Sequence, residues 1–382
     1  MSDLLAPTPP MGWSSWNGFG PHVNEELIKG IADAMVSSGM KDVGYTYVNI
    51  DDFWHGGRGE DGRLFPDPQR FPSGMKALAD YIHARGLKFG IYSDAGPKTC
   101  GGRPASEGYE ELDAQTFAEW GVDYLKYDYC YAPEDRGSAE RLYRKMSEAL
   151  KATGRPIVFS ICEWGQRRPW LWGRQVGGQL WRTTGDIADS WSDWPSRQGY
   201  ALLGIDRIGF DLQRGLEAYA GPGGWNDPDM LVVGLRGKGF IPGPGCTDTE
   251  YRTHFSLWCL LAAPLIASCD LRHMDPATRD ILTNREVIAL NQDPLGRQGY
   301  WVGPAEVWVK PLAGGELGVG LFNRGNERAT VTAHWSNLEI SGRYHVRDLW
   351  QHADLGVFEG KFSAEVAPHD CVILRLTPET AR

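Results

Sequence analysis

The chain has 382 residues, 42% of them hydrophobic, which is enough for a packed core and long for a single one. With 39 basic against 49 acidic side chains the formal charge is −10, and no basic run offers a surface to nucleic acid or an anionic membrane. No stretch is apolar over the length of a bilayer, and the opening MSDLLAPTPPMGW lacks the basic and apolar regions of a signal peptide. The expectation is a cytoplasmic protein, or a secreted one if a leader has been removed.

Seven cysteines at irregular spacing, with no C-x-x-C pair, predict no structural zinc site. The 16 Trp suit stacking on the C–H faces of a sugar, and they serve equally well as core filler.

In chain order, short apolar runs alternate with amphipathic stretches up to about residue 295. The runs are PPMGWSSW (9–16), YTYVNIDD (45–52), LKFGIYSD (87–94), DYLKYDYC (123–130), PIVFSICE (156–163), QLWRTTGD (179–186), GWNDPDML (224–231) and PLIASCD (264–270). EELIKGIADAMVSSG, MKALADYIHARG and AERLYRKMSEALKATG between them read as helices, the first two closing on the glycine expected just past a helix end. Strands alternating with helices predict a parallel sheet, and eight such units predict a (β/α)8 TIM barrel over residues 1–295. Residues 296–382 change pattern: AEVWVKPL, ELGVGLFNRG, RATVTAHW, GRYHVRDLW and DCVILRLTP alternate with period two, which predicts a C-terminal antiparallel β-sandwich domain.

Acids cluster where the apolar runs end: Asp51, Asp52, Asp94, Asp128, Glu163, Asp186, Asp229 and Asp270. In a (β/α)8 barrel that end carries the active site. An Asp at a strand end also caps the next helix, and Asp270 fits that role. Strand alternation places Lys126 and Asp128 on one face, where each would favour the charged form of the other. Two readings stand for the pair: an ionised nucleophile, or a structural ion pair. Arg182 and Asp186, four apart, share a face in an extended strand, again as catalytic or structural partners. Two carboxyls facing each other across one pocket are what glycoside hydrolysis requires.

The motifs MGWSSWN, NIDDFW, GIYSDAG, TCGGRP, YLKYDYC, CEWG, WRTTGDI, GPGGWNDPDML and RTHFSLWCLLAAPL together resemble glycoside hydrolase family 27, the α-galactosidases and α-N-acetylgalactosaminidases. The resemblance implies Asp128 as nucleophile and Asp186 as acid/base of a retaining, double-displacement hydrolysis of α-D-galactosides. It implies Trp16 as the floor beneath the sugar, Asp51 and Asp52 as ligands of its C4 and C6 hydroxyls, and Lys126 and Arg182 as donors to ring hydroxyls. Tyr92, Cys162, Glu163, Trp164, Asp229 and Met230 match further substrate-binding positions. Cys100 and Cys130 match a disulfide between two active-site loops, which sits against the reduced state of cytoplasmic thiols. No cofactor and no metal is implied; the partner is an α-galactoside oligosaccharide or glycoconjugate, and a homo-oligomer is compatible.

Within the family, Trp164 would crowd the sugar's C2 side and exclude an acetamido group, unless it is a core residue turned away. The short acids Asp51 and Asp52 leave room for a C6 hydroxymethyl group. The remaining alternatives are α-N-acetylgalactosaminidase and β-L-arabinopyranosidase. A sugar-binding protein on an inactive barrel conflicts with the intact acid pair. A nucleotide-dependent oxidoreductase conflicts with the lack of G-x-G-x-x-G between strand and helix, and a zinc hydrolase with the scarcity of His at strand ends. Residues 192–219 and 234–246 look extended and are expected on the rim, where they would set aglycone preference. Phe53 stands where some members have a second disulfide cysteine, and Cys246 has no evident partner.

Overall fold

The computed structural model describes residues 4–195 and 201–379. The apolar runs form short strands, β1 (Met11–Ser14), β2 (Tyr47–Asn49), β3 (Lys88–Asp94), β4 (Tyr124–Asp128), β5 (Val158–Ile161), β6 (Leu180–Arg182), β7 (Trp225–Asp227) and β8 (Leu265–Ala267). Their order is β7-β6-β5-β4-β3-β2-β1-β8, every neighbour parallel. The Leu231–Ala267 bridge, with Leu231 N–H donating to Ile266 O at 2.8 Å, links the two outermost strands into a closed barrel. Parallel strands covered on both faces need nearly continuous burial, and all eight are buried at every residue but one at most. Gly90 in β3 is obligatory for close packing, since a Cβ there would fall 1.8 Å from Asn49 Oδ1.

Helices α1 (Glu25–Ser37), α2 (Gly74–His83), α3 (Glu110–Trp120) and α4 (Arg136–Ala152) follow the first four strands. Leu27, Ile28, Ile31, Ala32 and Met35 line the buried stripe of α1, and the Asn24 side chain caps its start by accepting from Leu27 N. After β5 and β6 the only helical segments among the described residues are single turns, at Pro169–Leu171 and Arg207–Asp211. α5 (Asp248–Leu260) opens with a Thr247–Glu250 capping box, and α6 (Pro276–Leu282) and α7 (Arg285–Asn291) complete the barrel's outer layer.

The expected sandwich is present. A sheet ordered Tyr300–Trp301, β9 (Val307–Pro311), β10 (Leu317–Phe322), β15 (Cys371–Pro378), β12 (Arg343–Asp348), β13 (Ala353–Glu359) faces the pair β11 (Ala329–His334) and β14 (Lys361–Val366). β13 escapes the sequence pattern because it carries no clean apolar alternation and is an edge strand with no buried residue; β14, KFSAEV, does alternate but is absent from the runs read from the sequence. The sandwich has its own core, while Trp308, Leu312, Phe322, Leu349, Cys371 and Ile373 join the barrel's core. α5 lies at this junction and is buried all round from Phe255 to Leu260, which explains its lack of an amphipathic pattern.

Much of 192–219 also goes to the junction, contrary to the expected rim position. Phe210 packs edge-on against Trp308 (6.2 Å) and Phe322 (5.1 Å), and Asp206 and Asp211 both take Arg324. Residues 196–200 of that stretch lie outside the described residues. Among the described residues no helix is long and apolar enough to cross a membrane.

Leu260 is fully buried where α5 meets Gly318 and Gly320. Leu260→Ala is expected to lower unfolding stability by about 2–5 kcal/mol, read as a lower urea midpoint.

Candidate active site

The parallel register sets Tyr92 beside Lys126 and Asp94 beside Asp128. Alternation turns Lys126 and Asp128 into the barrel and Tyr127 outward, where its ring lies 5.8 Å from that of Tyr143 on α4. Asp128 Oδ2 accepts from the Tyr92 hydroxyl at 3.1 Å and Oδ1 from Tyr129 N–H at 3.1 Å. Lys126 Nζ does not bond Asp128; it donates to Asp51 Oδ2 at 2.8 Å and lies 5.4 Å above the Tyr92 ring.

Asp51 and Asp52 leave the end of β2 in fixed poses. Asp51 N–H donates to Ser15 Oγ at 2.9 Å, while Asp52 accepts from Phe53 N–H at 2.7 Å and Gly101 N–H at 2.8 Å. Trp16, just beyond β1, is half-buried between Phe53, nearly parallel at 6.2 Å, and Phe240, edge-on at 5.3 Å. Phe240 is brought there by the 234–246 segment, which pairs with the Trp16 turn through Phe240 N–H to Gly18 O and Ile241 N–H to Asn17 O, both 3.1 Å.

Across the barrel, Arg182 is the hub. Its Nη2 contacts Asp229 Oδ2 at 3.0 Å and donates to Asp186 Oδ1 and Thr184 O, both at 3.1 Å; its Nη1 lies 3.7 Å from Cys162 Sγ. Asp229 has φ +100°, in the left-handed region, and is held there by Met230 N–H (2.8 Å) and Ile187 N–H (2.9 Å) on its two oxygens. The Asp186 side chain is 39% exposed, whereas the Asp128 residue is 5% exposed, so the two carboxyls occupy different environments.

Burial raises the Asp128 carboxyl well above the ordinary range; Lys126 opposes the rise, and the negative charges of Asp186 and Asp51 add to it. The expectation that Lys126 leaves Asp128 firmly ionised is therefore corrected: desolvation outweighs the ammonium, whose direct partner is Asp51. Asp94, also buried, is raised with Asp128 by burial and mutual repulsion, which disfavours two negative charges on the pair at once. Cys162 is a neutral buried thiol, pushed up by desolvation.

The disulfide is present: Cys100 and Cys130, Cα atoms 5.2 Å apart, tie the Thr99–Arg103 turn to the segment after β4. That turn also carries Gly101, the donor to Asp52. Cys246 is free and buried.

Residues 8–293 match the family described as alpha galactosidase A, and residues 302–376 match the alpha galactosidase C-terminal beta sandwich domain. The chain belongs to the α-galactosidase family, glycoside hydrolase family 27. An alpha-galactosidase of Oryza sativa subsp. japonica is 50% identical over 382 residues, covering 98% of this chain and 86% of the rice protein. A putative alpha-galactosidase structure from Bacteroides fragilis superposes with a TM-score of 0.94 at 49% identity, covering 100% of this chain and 81% of that one. Alpha-galactosidase I from Mortierella vinacea superposes with a TM-score of 0.92 at 37% identity and covers 99% of both chains. α-Galactosidase-type hydrolase activity goes with that membership.

Two acids leave the expected rim group of this α-galactosidase-family fold. Glu163 follows the outward phase of β5: it is fully buried and accepts from Arg167 N–H (2.8 Å) and Nη1 (3.2 Å), so its place in the substrate-binding set is not supported. Asp270 accepts from Arg272 N–H at 3.1 Å and caps a short turn, as expected. Trp164 is half-buried at a left-handed position (φ +61°) and packs partly on the barrel core; Met230 is buried. Sequence reading passed over Asp94 as a site residue although its alternation with Tyr92 put it on the same face. It also gave no role to the Phe53 and Phe240 rings beside Trp16, because no pattern links residues so far apart. A cavity of about 430 Å³ at the opposite end of the barrel, lined in part by Pro9, Pro10, Tyr47, Lys88 and Asp123, contains none of the strand-end acids discussed above.

Burial pushes the Glu163 carboxyl up to about 7, with Arg167 opposing. The folded state therefore holds that proton more tightly than the unfolded chain, and its stabilisation is lost as pH rises from about 4.5 through 7. Glu163→Gln removes this slope. Thermal unfolding of both proteins across that range is expected to show the wild type losing ground to the variant; parallel curves would refute the assignment.

Proposed function

We propose that this chain is a retaining α-galactosidase that releases terminal α-D-galactose, with Asp128 as nucleophile and Asp186 as acid/base. The observation that supports this most is positional: Asp128 ends β4 and Asp186, held by Arg182 at 3.1 Å, follows β6, so both lie at the C-terminal end of the barrel strands. Their environments differ as a double displacement requires. Asp128 is enclosed and oriented through both oxygens, suited to attack at one fixed point. Asp186 is steered by Arg182 yet open to solvent, suited to exchange protons with the leaving group and water.

In the first step Asp128 attacks the anomeric carbon, the glycosidic C–O bond breaks, and Asp186 gives its proton to the leaving oxygen. The product is a galactosyl ester on Asp128. In the second step Asp186 takes a proton from water, the hydroxide oxygen bonds to the anomeric carbon, and Asp128 departs as a carboxylate. Two inversions leave the anomeric configuration unchanged. Asp51, Asp52 and Lys126 would hold the hydroxyls on one side of the ring, Arg182 and Asp229 those on the other, and Trp16 the apolar face.

Selectivity for galactose rests on Cys162 and Trp164 beside the C2 position and on the short acids after β2. The indole leaves room for a hydroxyl and not for an acetamido group.

Asp128→Asn is expected to abolish hydrolysis of an aryl α-galactoside, and Asp186→Asn to lower it by about 10²–10⁴-fold. Proton NMR of the wild-type reaction should show α-galactose appearing before mutarotation; β-galactose first, or near-normal turnover by Asp128→Asn, would sink the mechanism. In a panel of aryl α-galactoside, α-N-acetylgalactosaminide and β-L-arabinopyranoside, the first should have the highest kcat/KM. Trp164→Ser should raise activity on the second more than on the first.

A further inference from the structure

Among the described residues, one group gathers metal-ligating atoms in one place. The donor atoms of Asp94, Cys100, Asp128 and Cys130 all lie within 4.8 Å of one another. The β3–β4 register sets Asp94 beside Asp128, and the disulfide draws Cys100 onto Cys130, two residues beyond Asp128. The carboxyls are buried and Cys100 is exposed. A small reductant can therefore meet the S–S bond from solvent, while the carboxyls stay enclosed behind it.

With the bond intact neither sulfur is a thiolate donor. With it broken, the same four side chains present two thiols and two carboxyls. That set suits a borderline-soft, tetrahedral ion such as Zn²⁺, and its full charge equals that of a four-cysteine zinc site. Bonds of about 2.3 Å to sulfur and about 2.0–2.2 Å to oxygen place tetrahedral donors about 3.5 Å apart, within the present 4.8 Å spread, so the main adjustment is that the two sulfurs part once the S–S bond is broken. The carboxylates are pre-oriented by other groups. Asp94 accepts from Gly96 N–H (2.8 Å) and Cys130 N–H (2.9 Å), and Asp128 from Tyr92 and Tyr129, each oxygen keeping a free lone pair.

We propose that reduction of the Cys100–Cys130 disulfide opens a Zn²⁺ site formed by both sulfurs with Asp94 and Asp128, and that zinc bound there stops catalysis by occupying the nucleophile. The inhibitory half rests on the reading of Asp128 given above; the binding half does not. A phosphine or dithiol reductant delivers two electrons to the S–S bond, each sulfur takes a proton from water, and the reductant leaves as phosphine oxide or disulfide. Zn²⁺ then displaces both thiol protons to solvent, forms two Zn–S bonds, and completes its shell with one oxygen from each carboxylate.

The full chain, reduced with tris(2-carboxyethyl)phosphine and desalted under argon, is titrated with Co²⁺ and then with Zn²⁺. Uptake of one Co²⁺ equivalent is expected, with sulfur-to-cobalt charge-transfer absorption and intense tetrahedral d–d bands that Zn²⁺ erases. One equivalent of Zn²⁺ should remove most turnover on an aryl α-galactoside, and EDTA should restore it. The oxidised protein and the Cys100→Ser/Cys130→Ser double variant should show neither the bands nor zinc inhibition. The double variant also controls for the five buried free cysteines. No cobalt spectrum in the reduced protein, or the same spectrum in the double variant, overturns the site. Uptake with full turnover overturns the inhibitory half. Because the spectrum is read without substrate, failure of the nucleophile assignment would leave it in place.

Discussion

Two enclosed cations, Lys126 and Arg182, hold the open end of the barrel together. Around them stand Asp51, Asp128, Asp186 and Asp229, a concentration of negative charge that the two cations offset. Lys126 joins β4 to the end of β2, and Arg182 joins β6 to the turn after β7. Lys126 bridges strands that are not sheet neighbours, whereas Arg182 ties the ends of the adjacent β6 and β7, so the acids are held both across the barrel opening and along its rim. Such buried ion pairs add little to stability compared with an apolar core. What they supply is a fixed arrangement of charge, which hydrolysis of a polyhydroxylated substrate requires.

The aromatic content divides along the same boundary. Trp13, Trp54, Trp172, Trp181, Trp225, Trp258 and Trp308 are fully buried, so much of the tryptophan excess is core filler. Their indole N–H groups are satisfied internally, as in Trp13 to Cys269 O at 2.8 Å and Trp258 to Asp229 O at 2.8 Å. The second of these bonds anchors the strained Asp229 backbone from beneath, coupling core packing to site geometry. Trp16 differs: it is half-buried and flanked by two rings that the rest of the fold delivers from distant segments.

The inter-domain junction explains the irregular half of the barrel. After β5 and β6 the long covering helices are missing among the described residues, and the turn at Arg207–Asp211 packs through Phe210 on the sandwich. The sandwich packs on α5 and on this turn, and so shields that side of the barrel's outer layer from water. α5 is buried against both units, and Trp308, Phe322 and Ile373 of the sandwich join the barrel's core there.

The alternation of strand and helix, the left-handed glycines Gly39 and Gly86 just past the first two helices, and the shared face of Lys126 and Asp128 were all determined by the sequence, because each depends on spacing within one element. So was family membership, since the site motifs are contiguous. Only the tertiary structure decided that Lys126 bonds Asp51 and not its neighbour, that Glu163 faces Arg167 and away from the opening, and that 192–219 feeds the domain junction. Those outcomes depend on distances between strands, and on a balance of desolvation against Coulomb attraction, that no local pattern encodes.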